Sequence, residues 1–439
     1  MFEYIRLKNF KSLKDVQINL LDKHKKPKKL ILIYGENGIG KSNIASSFFM
    51  LSETLRTMDV RDILETFLAH NLEKIENKEE IENLFKSKYR DIETIIKENK
   101  TVESKDTMLM EFGFRINDRR GKYSIETNDT QIIHEKLEYT LTKRRGTYID
   151  ITPDKVTINE KLFLNKDAYN TIYEGVQKFW GKHTFLSIVF HEIRDKADQY
   201  IKDKISNPFE DVLHFMECIS CKIKFGSSQE NFRLSHPKEI LVNYEKGKIP
   251  ITKEEQLNKT EAMLSVFLKQ TNKDIEKVYY KKKVEDDSIY YNLMLSKKIC
   301  GQLRDIDFSL ESTGTQSMIR QLPFLILTEI GAISILDEFD TAIHDLLCES
   351  LVTSLYKAIN GQLIMTTHNT RLMESNLPKD SLYIINELPD GNKEVECVLH
   401  YNNKIGDRNN IRDQYLLGKY SGIPKDVEID FKKLLSILE

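Results

Sequence analysis

The stretch Gly35-Glu36-Asn37-Gly38-Ile39-Gly40-Lys41-Ser42 constrains this chain more than any other. It fits the pattern G-x-x-x-x-G-K-[ST]. Its flanks are those the pattern needs, with the apolar run LILIY before it and the helical run KSNIASSFFMLSETL after it. A strand, a glycine-rich turn and a helix in that order aim successive backbone N–H groups at an anion, and the positive helix end adds to the attraction. The motif predicts that Gly35, Asn37, Gly38, Gly40, Lys41, Ser42 and Asn43 hold the phosphates of ATP, with Lys41 offsetting their charge and Ser42 reaching Mg²⁺. The plainer reading is a chance match in a glycine turn, and the flanking strand and helix weigh against it.

A nucleotide site of this kind also needs carboxylates. In SILDEFD an apolar strand ends in Asp337-Glu338, which sets both acids at the C-terminal edge of a sheet, where ligands of α/β sheets bind. Adjacent acids divide the work: Asp337 holds the metal through water and Glu338 polarises the attacking water. Two acids that merely end a strand are the alternative. A further strand, QLIMTTH, ends at His368, either a contact that reports the γ-phosphate or a capping or core residue.

Along the chain, YIRLKNFKSLKDVQINL alternates as strands do, and MLMEFGFRI, KYSIET, KLEYTLTKRRGTYIDI and KVTI predict antiparallel strands between Thr107 and Phe163. LETFLAHNLEKIENKEEIENLFKSKYRDIETIIKEN is dense in charge and predicts exposed helices. The last third alternates helix and strand from TQSMIRQLPFLILTEI to SLYIINEL, which implies a parallel sheet with covering helices. The expected organisation is a head of residues 1–55 and 300–439, a charged helical arm at 56–106, an antiparallel β subdomain returning to the core at 107–194, and a helical insertion with returning strands at 195–299.

Within that insertion FEDVLHFMECISCKIKF reads as one apolar helix, and its His214, Cys218 and Cys221 form at most half of a zinc site, with no second ligand pair following. Five cysteines in 439 residues argue against a disulfide framework and for a reducing compartment. The apolar runs are broken before the roughly 20 residues of a membrane helix, and MFEYIRLKNF lacks a signal-peptide layout. No membrane contact and a cytoplasmic setting are expected. A net charge of −2 gives no global field toward nucleic acid, so any such contact falls to the basic runs Lys23–Lys29, Lys143–Arg145 and Tyr279–Lys283, which solvated turns and strand ends also explain.

ESTGTQSMIRQ, Glu311 to Gln321, lies between the P-loop and the Asp-Glu strand. Ser312 and Gly314 precede a helix beginning near Thr315, so a hydroxyl and free amides are offered to a γ-phosphate; alone, the stretch is equally a helix cap. In the order P-loop, Ser-Gly turn, Asp-Glu strand and His, the sequence resembles the ATP-binding-cassette ATPases, and more closely their soluble SMC-like and OLD-like branch. ESTGTQ, LDEFDTAIH, TTHNTRLME and the tail IRDQYLLGKYSGIP together look like the ATPase subunits of prokaryotic anti-phage and abortive-infection systems of the RloA, AbiL and AriA kind.

The resemblance implies an α/β fold, a P-loop NTPase head of the cassette type, with a mixed sheet, covering helices, an antiparallel β subdomain and helical insertions. It implies ATP and Mg²⁺ as ligands and a head-to-head homodimer or higher oligomer, in which Ser312 and Gly314 of one subunit close over ATP on the other. It further implies a separately encoded effector, such as a nuclease, and a phage protein or DNA as trigger. STGTQ in place of Leu-Ser-Gly-Gly-Gln, and His344 where transporters place an Asp, imply slow or regulated hydrolysis. The tail helix RNNIRDQYLLGKY, closed by Gly422 and Pro424, either completes the head or docks a partner. Two other functions stay open: a DNA-repair ATPase of the SMC or RecF type that binds DNA directly, and a nucleotide-gated scaffold with negligible turnover.

Overall fold

The computed structural model describes residues 1–71, 90–141, 144–194, 196, 198–225, 229–235, 241, 243–401, 410–423 and 429–438. The alternating start of the chain forms the hairpin β1 (Phe2–Phe10) and β2 (Leu13–Asn19), whose apolar side chains turn inward. β3 (Leu30–Tyr34) is buried at every position, as a strand covered on both faces must be. The alternation between Thr107 and Phe163 becomes β4 (Met108–Ile116), β5 (Arg119–Thr127), β6 (Ile132–Thr140), β7 (Arg145–Thr152) and β8 (Lys155–Ile158). These strands extend the hairpin into one antiparallel sheet of order β2-β1-β4-β5-β6-β7-β8.

The chain then adds β9 (Ile219–Phe225), β10 (Gln229–Arg233), β11 (Lys246–Pro250), β12 (Ile275–Glu285), β13 (Ser288–Ile299) and β14 (Gln302–Asp307). It ends with β15 (Ile333–Leu336), β16 (Gln362–Thr366), β17 (Leu382–Glu387) and β18 (Lys393–Cys397). A second sheet runs β10-β9-β15-β16-β3-β17-β18, with β9 through β17 parallel and antiparallel strands at both edges. β11 to β14 form a smaller antiparallel sheet.

The helix Lys41–Thr54 is caught between the two large sheets. Phe48 meets Phe2 and Phe112 of the antiparallel sheet at ring distances of 5.1 and 5.5 Å. Ile31, Ile33, Ile335 and Ile364 of the parallel sheet belong to the same core. On the parallel sheet's other face Leu32, Leu336 and Met365 pack with Phe324 and Val352 of the helices Thr313–Glu329 and Asp345–Ala358.

Two local expectations are corrected. FEDVLHFMECISCKIKF is not one helix: Asn207–Glu217 is helical, Cys218 caps it, and ISCKIKF is β9, a strand of the parallel sheet. Its alternation sends Ile219, Cys221 and Ile223 into the core. Part of the charged stretch expected to be exposed is core as well, since the helix Ile92–Asn99 buries Ile92, Ile95 and Ile96. The middle of that stretch, residues 72–89, lies outside the described residues, as do Lys143 and Pro424.

One polar pin joins the layers. Glu135 on β6 is fully buried and accepts hydrogen bonds from Tyr123 Oη (2.7 Å), Trp180 Nε1 (2.8 Å) and the Phe185 amide (2.8 Å). The turn it fixes carries Thr184, whose hydroxyl donates to Thr54 O at the end of the P-loop helix (2.8 Å).

Candidate functional site

The turn Gly35–Gly40 connects β3 to the helix Lys41–Thr54, and Gly40, at φ 119°, caps that helix in a conformation side chains resist. Lys41 is buried, and its Nζ donates to Gly35 O (2.8 Å) and Glu36 O (2.7 Å). Burial pulls its pKa down, against the upward pull of Asp337, Glu338, Asp340 and Glu36. Asn43 lies beside the loop, its amide donating to Ser12 Oγ (2.8 Å). Asn37 and Gly38 occupy the exposed crest.

β15 delivers Asp337 beside the loop, as the strand order requires. Ser42 Oγ donates to Asp337 Oδ1 (3.0 Å), and Thr366 Oγ1 donates to the same oxygen (2.6 Å). Asp337 Oδ2 is buried without a hydrogen-bond partner. Burial raises the pKa of Asp337, opposed by its bonds to Thr366 and Ser42. A buried carboxylate oxygen with free lone pairs next to a serine hydroxyl is a hard oxygen donor set, which suits Mg²⁺.

Glu338 follows at φ 48°, its amide donating to Thr366 Oγ1 (2.8 Å). Thr366 therefore fixes both acids at once. The Glu338 carboxylate is ion-paired with Lys224 of β9 (2.6 Å), and that pairing holds its pKa below the usual glutamate value. His368 is held by its backbone, which donates to Asp340 Oδ2 (3.1 Å). Burial lowers the His368 pKa and Lys41 lowers it further, while Asp340, Glu338 and Asp337 pull it up. The P-loop lysine, the two acids and the histidine thus share one electrostatic neighbourhood.

Ser312 and Gly314 sit elsewhere, at the start of the helix Thr313–Glu329. Ser312 is its N-cap, accepting from the Thr315 amide (3.3 Å). Gly314 packs on the loop after Glu338, where a Cβ would stand 2.6 Å from Ala342 O. Ser317 Oγ also bonds this loop at Thr341 O (3.1 Å). The stretch caps a helix, as one of its two readings expects, and it is joined to the segment that carries the acids. Gly314→Ala is expected to cost about 1–3 kcal/mol through overpacking, read as a lowered unfolding midpoint.

Sequence reasoning missed Thr366, Asp340 and Lys224. The first two stand inside quoted motifs, MTTH and DEFD; Lys224 was hidden by reading β9 as helix. His344 caps Asp345–Ala358 through its ring, accepting from the Leu346 amide (3.2 Å). Cys218 Sγ stands 3.5 Å from His214 Nε2, and among the described residues no group of three or more His, Cys, Asp or Glu is placed to hold a metal ion. Among them, too, no helix is long and apolar enough to cross a membrane. Parts of the basic runs are engaged internally: Lys28 Nζ binds Asp380 O and Tyr383 Oη, Lys29 Nζ binds Ile359 O, and Lys282 pairs with Glu254.

A P-loop between the parallel strand β3 and its helix, with carboxylates on a strand two places away, defines a P-loop ATPase fold. The AAA ATPase domain family (AAA_15) matches residues 1–373, and the chain belongs to that family. No curated protein matches it. Among solved structures it is similar to an Smc head bound to the C-terminal winged-helix domain of ScpA, at 15% identity and TM-score 0.41 over 90% of this chain and 96% of that one. The SMC head domain from Thermotoga maritima matches at 14% identity and TM-score 0.36, over 90% and 98% of the two chains. An Smc head from Pyrococcus furiosus with an extended coiled coil, bound to the C-terminal domain of ScpA, gives 14% and 0.35, over 90% and 95%.

Proposed function

We propose that the chain binds ATP at Gly35–Asn43 and hydrolyses it slowly, as the regulatory ATPase of an anti-phage system that controls a separate effector. The observation that carries the ATPase reading is the junction of Ser42 with Asp337, whose second oxygen is buried and unpartnered. Ser42 and Asp337 would hold Mg²⁺, which supplies charge neutralisation on the phosphates. Lys41, now bound to loop carbonyls, is the cation that turns to the phosphates. Glu338 is the base that orients water, and His368 is the neighbour that reads the terminal phosphate. Its pairing with Lys224 keeps Glu338 from being a free base, which favours slow or regulated turnover.

Ser312 and Gly314 are proposed to complete the site of a second copy, which makes turnover depend on a homodimer or higher oligomer. Glu338→Gln is expected to bind ATP and lose at least ~100-fold in turnover, the scale of a lost general base. Ser312→Arg is expected to bind normally and hydrolyse at the Glu338→Gln level. Equal rates in wild type and Glu338→Gln would favour the scaffold, and full activity in Ser312→Arg would remove the composite site.

The defence role rests on ESTGTQ, LDEFDTAIH, TTHNTRLME and the tail motif. A nuclease gene beside this one, and loss of phage protection in cells carrying Lys41→Ala, are its expected signs; a recombination operon would point to the DNA-binding alternative. Internal engagement of Lys28, Lys29 and Lys282 weighs against direct DNA clamping.

A further inference from the structure

β9 is the neighbour of β15 on the side away from β16, and the two run parallel with Lys222 opposite Leu336. The Asp337 amide donates to Lys222 O (2.9 Å), so the last residues of β9 travel beside the two acids. Alternation along β9 turns Ile223 into the core and leaves Lys224 exposed at the C-terminal end of the sheet. That is the end at which β3 opens into the P-loop. Lys224 Nζ stands 2.6 Å from Glu338 Oε2 and 3.4 Å from Thr341 Oγ1.

Two lysines therefore flank the carboxylates. Lys41 is buried and tied to loop carbonyls, where the β-phosphate of any nucleotide would engage it. Lys224 is joined to the acid proposed to orient the attacking water, which must stand beside the terminal phosphate. Its side chain and that of Glu338 are 39% and 37% exposed, so the pair is a solvent-accessible contact that can be exchanged. A terminal phosphate carries more charge than one carboxylate and offers several acceptor oxygens.

We infer that Lys224 is a nucleotide-sensing cation, which leaves Glu338 for the terminal phosphate of ATP and so distinguishes ATP from ADP. The exchange does two things together. It places a second ammonium on the phosphate present only in ATP, and it releases Glu338 from its ion pair. This inference rests on the ATP site proposed above.

The test is equilibrium binding of a non-hydrolysable ATP analogue and of ADP, both with Mg²⁺, to the full chain. Lys224→Met is expected to weaken analogue binding at least ten-fold while ADP changes less than two-fold. Lys224→Arg, which keeps the charge, is expected to retain most of the preference. Glu338→Gln frees Lys224 and is expected to tighten the analogue but not ADP, a gain that disappears in Lys224→Met/Glu338→Gln. Unchanged ADP affinity shows that the Lys224→Met site is still folded. Equal effects on both nucleotides, no effect on either, or an undiminished Glu338→Gln gain in the double variant would overturn the inference. Normal analogue binding by Lys41→Ala would instead remove the ATP site itself, so the two failures are separable.

Discussion

Lys41→Ala is expected to abolish measurable ATP binding, with the dissociation constant rising by at least ~100-fold. The ammonium holds two loop carbonyls, Gly35 O and Glu36 O, and is buried against solvent. When phosphate oxygens replace those carbonyls, each lost charge-assisted bond is worth ~1.5–3 kcal/mol. Two such bonds amount to about 3–6 kcal/mol, or roughly 10² to 10⁴ in affinity. The fold should tolerate the change, because the truncated side chain leaves the partnered acids Asp337 and Glu338 untouched and the freed carbonyls can meet water. Titration calorimetry with ATP and Mg²⁺, paired with a melting curve, measures both halves; near-normal affinity would dissolve the phosphate-loop reading.

The second large effect is on stability. Glu135→Leu removes the shared acceptor of Tyr123, Trp180 and the Phe185 amide, leaving buried donors that each cost ~1–3 kcal/mol. A total loss of about 3–5 kcal/mol is expected by urea unfolding, a large share of a typical domain's stability. Glu135→Gln keeps one acceptor, and the Tyr123 hydroxyl can rotate to receive its amide, so its loss should stay below about 1.5 kcal/mol.

The pair of variants also has a pH signature. Burial raises the Glu135 pKa from 4.5 to about 7. Between those values the folded chain binds a proton that the unfolded chain does not, so wild type loses stability relative to Glu135→Gln as pH rises through that window. Below it the difference is constant. A difference that grew in favour of wild type with rising pH would place the carboxylate in a different environment.

The parts of the site that were legible in sequence are those written in local pattern. A five-residue apolar strand running into glycines announced β3 and the P-loop, and an apolar strand ending in two acids announced β15. What was not legible depended on neighbours in space. Lys224 comes to Glu338 only because β9 lies beside β15, and β9 follows its helix with no Gly or Pro between them, so ISCKIKF was absorbed into the helix. Thr366 and Thr367 are adjacent in sequence, and nothing in one dimension says which hydroxyl meets Asp337. Glu135 did leave a signal. It shares an inward face with Leu137 and Tyr139 on β6, and an acid in that register must find donors or neutralise.

The Ser42–Asp337 hydrogen bond joins residues 295 positions apart. On a ribosome moving at ~5–20 residues per second, about 15–60 s separate the synthesis of the loop from that of its acid. Throughout that interval β3 lacks both flanking strands, β16 and β17, since each is encoded later. An apolar strand with two open edges is a sticky object. Premature termination upstream of β16 is therefore expected to leave β3 without sheet neighbours, in a species for chaperones and proteases to clear.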